Sequence, residues 1–331
     1  MSKFVPMVEV WRGDILECVH NGQAVVVDGS GQIVEAWGEP DSIILPRSSS
    51  KMIQALPLVE SGAADAFGLS TEQLALSCAS HNGAHIHTDR VTAWMTDLGL
   101  TDDDFRCGPQ TPADAEARDE LVRAHETPCQ VHNNCSGKHA GFLTLSKHLG
   151  GHTEYLETDH PVQKAILAAQ NEVTDMDSPG YGIDGCSAPN FSASLYGFAK
   201  AMAFFATAHE GKSARATAAV RLRNSMMAHP DLVAGEGRAC TELRREMNGK
   251  AAIKTGADGV FFGILPEKGL GIALKIQDGA TRGSECAMAA ILAKYGALDP
   301  ESPAARKRMN APLLNRRDID CGIIKPAASL S

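Results

Sequence analysis

The spacing of hydrophobic and polar positions changes twice along the chain. Over residues 1–45, short apolar runs alternate with polar positions and turn residues, and similar short runs return after residue 250. Between these regions, residues 47–230 place apolar side chains at helical spacing. The pattern predicts a sandwich-like α+β fold, in which an antiparallel sheet built from both chain ends carries an inserted helical region.

Turn residues and caps set the predicted boundaries of the elements. Turns are expected at Trp11-Arg12-Gly13-Asp14, His20-Asn21-Gly22 and Asp28-Gly29, and a helix capping box at Ser70-Thr71-Glu72-Gln73. Predicted helices cover 85–98, 113–124, 141–149, 161–173, 193–207, 214–227 and 284–295, and later strands cover 251–254, 260–265 and 270–276. We expect a sheet domain of 1–45 with 250–331, a mainly helical domain of 46–249, and a surface tail from residue 299.

Composition and charge narrow the class of protein. The chain has 331 residues, of which 44% are hydrophobic and 21% charged, as in a globular protein. A formal net charge of −9 argues against a nucleic-acid or anionic-membrane partner. Because the first residues lack the apolar core of a signal peptide and no run is long enough to cross a bilayer, we expect a cytoplasmic protein. Nine irregularly spaced cysteines do not suggest a disulfide framework.

The first candidate for chemistry is the segment Pro46-Arg47-Ser48-Ser49-Ser50-Lys51, which opens the helical region. Ser48 and Lys51 are three residues apart and would share one face of a first helical turn. A neutral lysine amine can accept the proton of a serine hydroxyl and make that serine a nucleophile. The same serines can instead cap the helix, so the tetrapeptide alone leaves both interpretations open.

Two further motifs favour the catalytic interpretation. Ser80-His81-Asn82-Gly83 follows an early helix, and Lys254-Thr255-Gly256 ends a short late strand. Penicillin-recognising enzymes use a Ser-x-x-Lys, a Ser-x-Asn and a Lys-Thr-Gly motif in this order. Alone, the second motif is compatible with a C-cap turn and the third with a strand exit, but the three in order predict a serine hydrolase.

Five longer segments resemble the rhizobial-type L-asparaginases, often called class 3. They cover 46–53, 77–87, 132–141, 182–189 and 254–259, and the resemblance extends over nearly the full chain. It implies a fold similar to serine β-lactamases and glutaminases, a homodimer, and hydrolysis of L-asparagine to L-aspartate and ammonia. By the same resemblance, Ser48 matches the nucleophile and Lys51 its base, while Ser80 and Lys254 match a second serine–lysine pair.

The resemblance also implies a zinc ion near the substrate. Its ligands match Cys135, Lys138 and Cys186, with Asp184 close by. Spacing alone does not predict this site, since the two cysteines are far apart and lysine is a rare ligand that must first lose a proton. Without the resemblance, both cysteines would be interpreted as buried thiols.

The α-amino and α-carboxylate groups of asparagine need partners. Asp184 can take the ammonium group, and Arg47 can take the carboxylate in a bidentate contact. His81, Asn82 and His139 are further candidates for substrate contacts.

Three alternatives remain open at this stage. A glutaminase or a penicillin-directed hydrolase would use the same three motifs, while a metal-stabilised binding protein would keep the fold without the chemistry. Two complete serine–lysine pairs argue against the binding protein.

Overall fold

The computed structural model describes residues 3–330 of the chain. Its strands are β1 Val5–Arg12, β2 Ile15–Asp28, β3 Ile33–Trp37, β4 Ile43–Ile44, β5 Tyr181–Ile183, β6 Pro189–Phe191, β7 Ala193–Ser194, β8 Ala252–Thr255, β9 Val260–Leu265, β10 Leu270–Ile276, β11 Ala311–Leu314 and β12 Asp320–Pro326. Its helices are α1 Lys51–Gln54, α2 Leu56–Glu60, α3 Ala63–Ala66, α4 Thr71–Ser77, α5 His85–Asp97, α6 Ala115–Ala124, α7 Ser136–Leu149, α8 Pro161–Thr174, α9 Leu195–Thr207, α10 Ala214–Ala228, α11 Pro230–Ala234, α12 Ala239–Met247, α13 Thr281–Lys294 and α14 Pro303–Arg306.

The chain divides into two compact units. The first contains the residues up to Ser49, Ala193–Thr207 and the residues from Glu242 onward; the second contains Ser50–Ser192 and Ala208–Thr241. The sheet unit therefore includes α9, which lies inside the 46–249 segment expected to form the helical domain.

An antiparallel sheet organises the first unit. Its order is β11-β12-β1-β2-β10-β9-β8, with β3 also paired to β2. Helices α9 and α13 pack on the sheet, and every residue of β9 is buried, as expected for a strand covered on both faces. Gly271 of β10 faces the α9 backbone, where a Cβ would collide with Ala199 and Ala203. The predicted α+β architecture, with a sheet from both chain ends, is confirmed.

One local prediction for this unit is wrong. No turn interrupts the sequence His20-Asn21-Gly22, because β2 runs through it and pairs with β1 on one side and β10 on the other. A glycine at position 22 allows close packing, since a Cβ there would lie 2.7 Å from the Met7 sulfur and 2.8 Å from the Lys275 carbonyl oxygen. The tail after residue 299 adds β11 and β12 to the sheet, and most residues of these two strands are exposed or half-buried, as expected for a surface tail.

Helix α7 lies at the centre of the second unit. Its residues 136–146 are buried, and it contacts α4, α5, α8 and α2. Gly137 lies so close to the Leu76 carbonyl of α4 that a Cβ would collide with it. The capping box at Ser70 and Gln73 is confirmed, and most predicted helices are found within two residues of their expected ends, although α7 begins five residues early. Within residues 3–330, none of the helices has the length and apolar character needed to span a membrane.

Candidate active site

The Ser48 segment is a tight turn between a strand and a helix. Residues Arg47–Ser50 form a 3₁₀ turn, so Ser48 lies in that turn and Lys51 is the first residue of α1. The Ser49 amide donates to the Pro46 carbonyl at 3.2 Å. Arg47 has a left-handed backbone with φ 52°, which is uncommon for a residue with a bulky side chain. The sequence predicted a helix start, and the structure adds this turn directly before it.

In the first unit, the Lys-Thr-Gly strand end packs directly on the Ser48 turn. A Cβ on Gly256 would lie 2.8 Å from Ser49 Oγ and 2.9 Å from the Pro46 carbonyl oxygen, so only glycine allows this approach. Lys254, two residues earlier on β8, is fully buried and donates from Nζ to the Thr255 carbonyl at 2.7 Å. Two predicted catalytic segments thus lie side by side.

In the second unit, Lys51 is buried against the residue that precedes Ser80. Its Nζ donates to the Ala79 carbonyl oxygen and to Cys135 Sγ, the latter at 3.0 Å. Ser80 is also buried, and its amide donates to the Val233 carbonyl at 2.9 Å. The proposed base therefore bonds to the backbone directly before the second serine.

The three residues proposed to bind zinc meet in the second unit. Cys135 precedes α7, Lys138 lies in the first turn of α7, and Cys186 lies in the loop between β5 and β6. Lys138 Nζ donates to Cys186 Sγ at 3.1 Å, and Cys135 Sγ donates to Asn134 Oδ1 at 2.9 Å. All three side chains are buried.

These groups shift one another's pKa values. The neighbouring Cys135 thiol lowers the pKa of Cys186 well below its usual value, although burial opposes this and Lys138 supports it. The same neighbouring thiol group of Cys186 and burial raise the pKa of Cys135. For Lys138, burial acts to lower the pKa, but Cys186 and Cys135 outweigh it and the pKa is raised. Within the cluster, negative charge is therefore favoured on Cys186 rather than on Cys135.

His139 and Asp184 lie next to this cluster. Burial lowers the pKa of His139 to about 4, so its ring is neutral. Its Nδ1 is 2.9 Å from the Tyr155 hydroxyl, while its buried Nε2 has no hydrogen-bond partner among residues 3–330. Asp184 is half-buried and is close enough to Lys138 to help raise the pKa of that amine.

His81 and Asn82 have well-defined partners within the second unit. The Gly83 amide donates to His81 Nδ1 at 3.2 Å, so His81 Nε2 carries the proton and donates to Ser136 Oγ at 3.0 Å. The His81 ring stacks on buried His87 with centroids 4.7 Å apart. Asn82 Oδ1 accepts from the Ala84 amide at 3.3 Å. Both side chains are thus fixed by their neighbours.

Sequence reasoning missed several residues that touch predicted site residues. Among them are Tyr155, which contacts His139, and Asp258, which forms an ion pair with Arg47. Asp258 lies in the family-like segment 254–259, and this position was the only sequence signal that pointed to it.

Comparison with known proteins identifies first the class and then the family. A family model described as L-asparaginase II matches residues 8–326, and the chain is therefore an amidohydrolase by class. It belongs to the L-asparaginase II family. No curated protein matches the chain significantly.

The expected likeness to glutaminase and β-lactamase structures is found at a distant level. Mglu in its native form is 14% identical with a TM-score of 0.47, covering 85% of this chain and 66% of that one, so the chain spans just under two thirds of Mglu. A putative β-lactamase from Bacteroides dorei DSM 17855 is 12% identical, with a TM-score of 0.42 and coverage of 77% and 85%. A Bacillus glutaminase is 13% identical, with a TM-score of 0.39 and coverage of 83% and 91%. No substrate follows from similarities this low.

Proposed function

We propose that the protein is an L-asparaginase that hydrolyses L-asparagine to L-aspartate and ammonia through an acyl-enzyme on Ser48. Family membership supports the amidohydrolase class. The observation that carries the proposal is the buried Lys51 amine, which bonds to the Ala79 carbonyl directly before Ser80. This contact links the first serine–lysine pair to the second serine.

The proposed reaction uses the serine–lysine pairs in turn. Ser48 Oγ attacks the carbon of the side-chain amide while Lys51, in its neutral form, accepts the hydroxyl proton. Backbone N–H groups stabilise the oxyanion. Ser80 and Lys254 pass a proton to the leaving ammonia, and the C–N bond breaks to leave a β-aspartyl ester. Water then hydrolyses the ester and restores the Ser48 hydroxyl.

Substrate contacts are proposed for residues around these pairs. Arg47 would bind the α-carboxylate, since a guanidinium matches a carboxylate in a bidentate contact. Asp184 would bind the α-ammonium. His81, Asn82 and His139 are further proposed contacts, and the neutral His139 ring would act as a hydrogen-bond donor or acceptor rather than a charge. We further propose that the enzyme is a cytoplasmic homodimer.

A zinc ion is proposed for the cluster of Cys135, Lys138 and Cys186. The donor set fits a zinc ion, because zinc prefers thiolate and nitrogen ligands. The Nε2 atom of His139, which has no hydrogen-bond partner in residues 3–330, lies beside this cluster. Among residues 3–330, no group of three His, Cys, Asp or Glu side chains is placed to hold a metal ion, and the proposed set includes a lysine. When bound, the ion would supply positive charge for substrate binding, while Lys138 and Cys135 would give up their protons.

The test measures ammonia release from L-asparagine and L-glutamine, and ring opening of a β-lactam, side by side with wild type and Ser48→Ala. We expect release from asparagine above the other substrates and nearly none with the variant. A preference for glutamine, β-lactam ring opening, or no turnover of any substrate would overturn the proposal in favour of a glutaminase, a penicillin-directed hydrolase or a binding protein, respectively.

A further inference from the structure

An ion pair joins the two catalytic segments of the first unit. Arg47 Nη1 contacts Asp258 Oδ2. Arg47 directly precedes Ser48, and Asp258 follows Lys254 by four residues. The pair therefore lies where the Ser48 turn packs on the strand end at Gly256.

Both residues of the pair have a left-handed backbone. The φ angles are 52° at Arg47 and 55° at Asp258. Aspartate tolerates this region because its short side chain can bond locally, but arginine has no such compensation. Such conformations cost free energy and persist only where the surroundings determine them, often at functional sites.

Asp258 is the more firmly held partner. Lys275 Nζ donates to the Asp258 carbonyl oxygen and, at 2.8 Å, to the Ile276 carbonyl oxygen. The Ile276 amide donates to the Gly259 carbonyl at 2.9 Å, which ties the next residue to the end of β10. The Asp258 backbone is therefore held in place, and its short side chain presents the carboxylate that the longer Arg47 side chain reaches.

The pair contributes little to stability. The Arg47 side chain is 26% exposed and that of Asp258 is 66% exposed. Solvent screens an ion pair this exposed, so it contributes less to stability than the two left-handed residues cost. The main effect of the ion pair is thus to orient the Arg47 guanidinium.

A cavity opens beside the pair. It has a volume of about 320 Å³, and its lining includes Arg47, Asp258 and Lys275 together with apolar side chains such as Leu45 and Val260. Lys3 also lines the cavity, and three cations against one carboxylate suit a small molecule that carries its own carboxylate group.

We propose that Asp258 is a positioning residue that directs the Arg47 guanidinium to the α-carboxylate of the substrate. It thereby sets the preference for α-amino acid amides over amides without that carboxylate. The inference deepens the proposed L-asparaginase function and rests on it.

The test compares Asp258→Asn with wild type in asparagine hydrolysis. Asparagine tolerates the left-handed backbone, so the change removes the charge and keeps the conformation. We expect KM to rise about tenfold, as for partners that orient a binding group, with kcat within about threefold of wild type. The inhibition constant of L-aspartate should rise in parallel. That of β-alanine, which is aspartate without its α-carboxylate, should stay unchanged.

The controls use matched positions. Asp318 also has a left-handed backbone, with φ 58°, and lies in the turn between β11 and β12 of the same unit. Asp318→Asn should therefore leave KM and the inhibition constant of L-aspartate unchanged. Asp258→Gly should repeat the effect of Asp258→Asn. In the Arg47→Ala background, Asp258→Asn should cause no further rise in KM, because the guanidinium that Asp258 orients is absent.

Several outcomes would overturn the inference while asparagine is still hydrolysed. The first two are an unchanged KM in both Asp258 variants and a fall in kcat alone. The third is an equal rise in the inhibition constants of L-aspartate and β-alanine. The fourth is a further rise of KM when Asp258→Asn is added to Arg47→Ala. Loss of folding in both Asp258 variants would assign the pair to stability and also overturn it. Absence of hydrolysis by wild type overturns the proposed function itself, which is a separate result.

Discussion

The amine of Lys51 lies 3.0 Å from the sulfur of Cys135. Lys51 is the proposed base of the Ser48 pair, and Cys135 is a proposed zinc ligand. The proposed base and the proposed zinc cluster are therefore in direct contact. A substitution at Cys135 should therefore affect both Lys51 and the zinc cluster. Among the hydrogen bonds of residues 3–330, none joins Cys186 to Lys51.

Ser48→Ala should remove nearly all hydrolysis, by about 10³-fold or more, because the nucleophile is lost. Ser49→Ala is the matched control in the same turn. Ser49 Oγ is buried without a hydrogen-bond partner in residues 3–330, so its removal should leave folding and activity nearly unchanged. Ammonia release and thermal unfolding of both variants are the measurements. Activity of Ser48→Ala within a few-fold of wild type would place the nucleophile elsewhere.

Lys51→Met should be as damaging as Ser48→Ala, and the double variant should be little worse than either single one. When two groups act as one catalytic unit, removing either one abolishes the same step, so the two losses of activity do not multiply. The measurement is kcat/KM for the two single variants and the double variant. Multiplying losses would show that Ser48 and Lys51 act independently.

Gly256→Ala should lower activity by about 10–100-fold, since a displacement of about 1 Å at a catalytic group has an effect of this size. The added Cβ would lie 2.8 Å from Ser49 Oγ and 2.9 Å from the Pro46 carbonyl, and it would push the Ser48 turn away from the strand. Gly263→Ala on neighbouring β9 is the control, since its nearest contact would be an ordinary 3.4 Å. Equal kinetics for the two variants would contradict the close approach.

Zinc is tested first by elemental analysis of the purified protein. We expect about one zinc per chain, and removal by chelator should raise KM more than it lowers kcat, because the serine–lysine pairs supply the nucleophile and base. Cys186→Ala should behave like chelation, while Cys135→Ala should also lower kcat through Lys51. Cys286→Ala, at a buried thiol of α13 whose pKa burial raises to about 12, is the control and should keep its zinc.

The pH dependence of zinc binding has a definite sign. The pKa values of Cys135 and Lys138 are raised in the metal-free protein, so both groups carry protons that zinc must displace. Affinity should fall as pH decreases, which a competition titration at several pH values measures. A pH-independent affinity, or full activity without zinc in the protein, would reject this site.

The sequence by itself determined the features that depend on local order. Helical spacing and a capping box predicted α4 and α5, and alternation predicted β9 and β10, because these signals arise from residues a few positions apart. The order of the Ser48, Ser80 and Lys254 motifs is also a property of the sequence alone. It was enough to suggest the class of hydrolase before any coordinates were considered.

Only the tertiary structure decided which distant residues meet. Asn21-Gly22 has the composition of a turn, yet two neighbouring strands hold it in β2, because ladder pairing on both sides outweighs local preference. Cys135 and Cys186 are joined by packing of α7 against the β5–β6 loop, and Arg47 meets Asp258 across more than two hundred residues. No local signal encodes such contacts, since they depend on burial and shape that only the complete fold supplies.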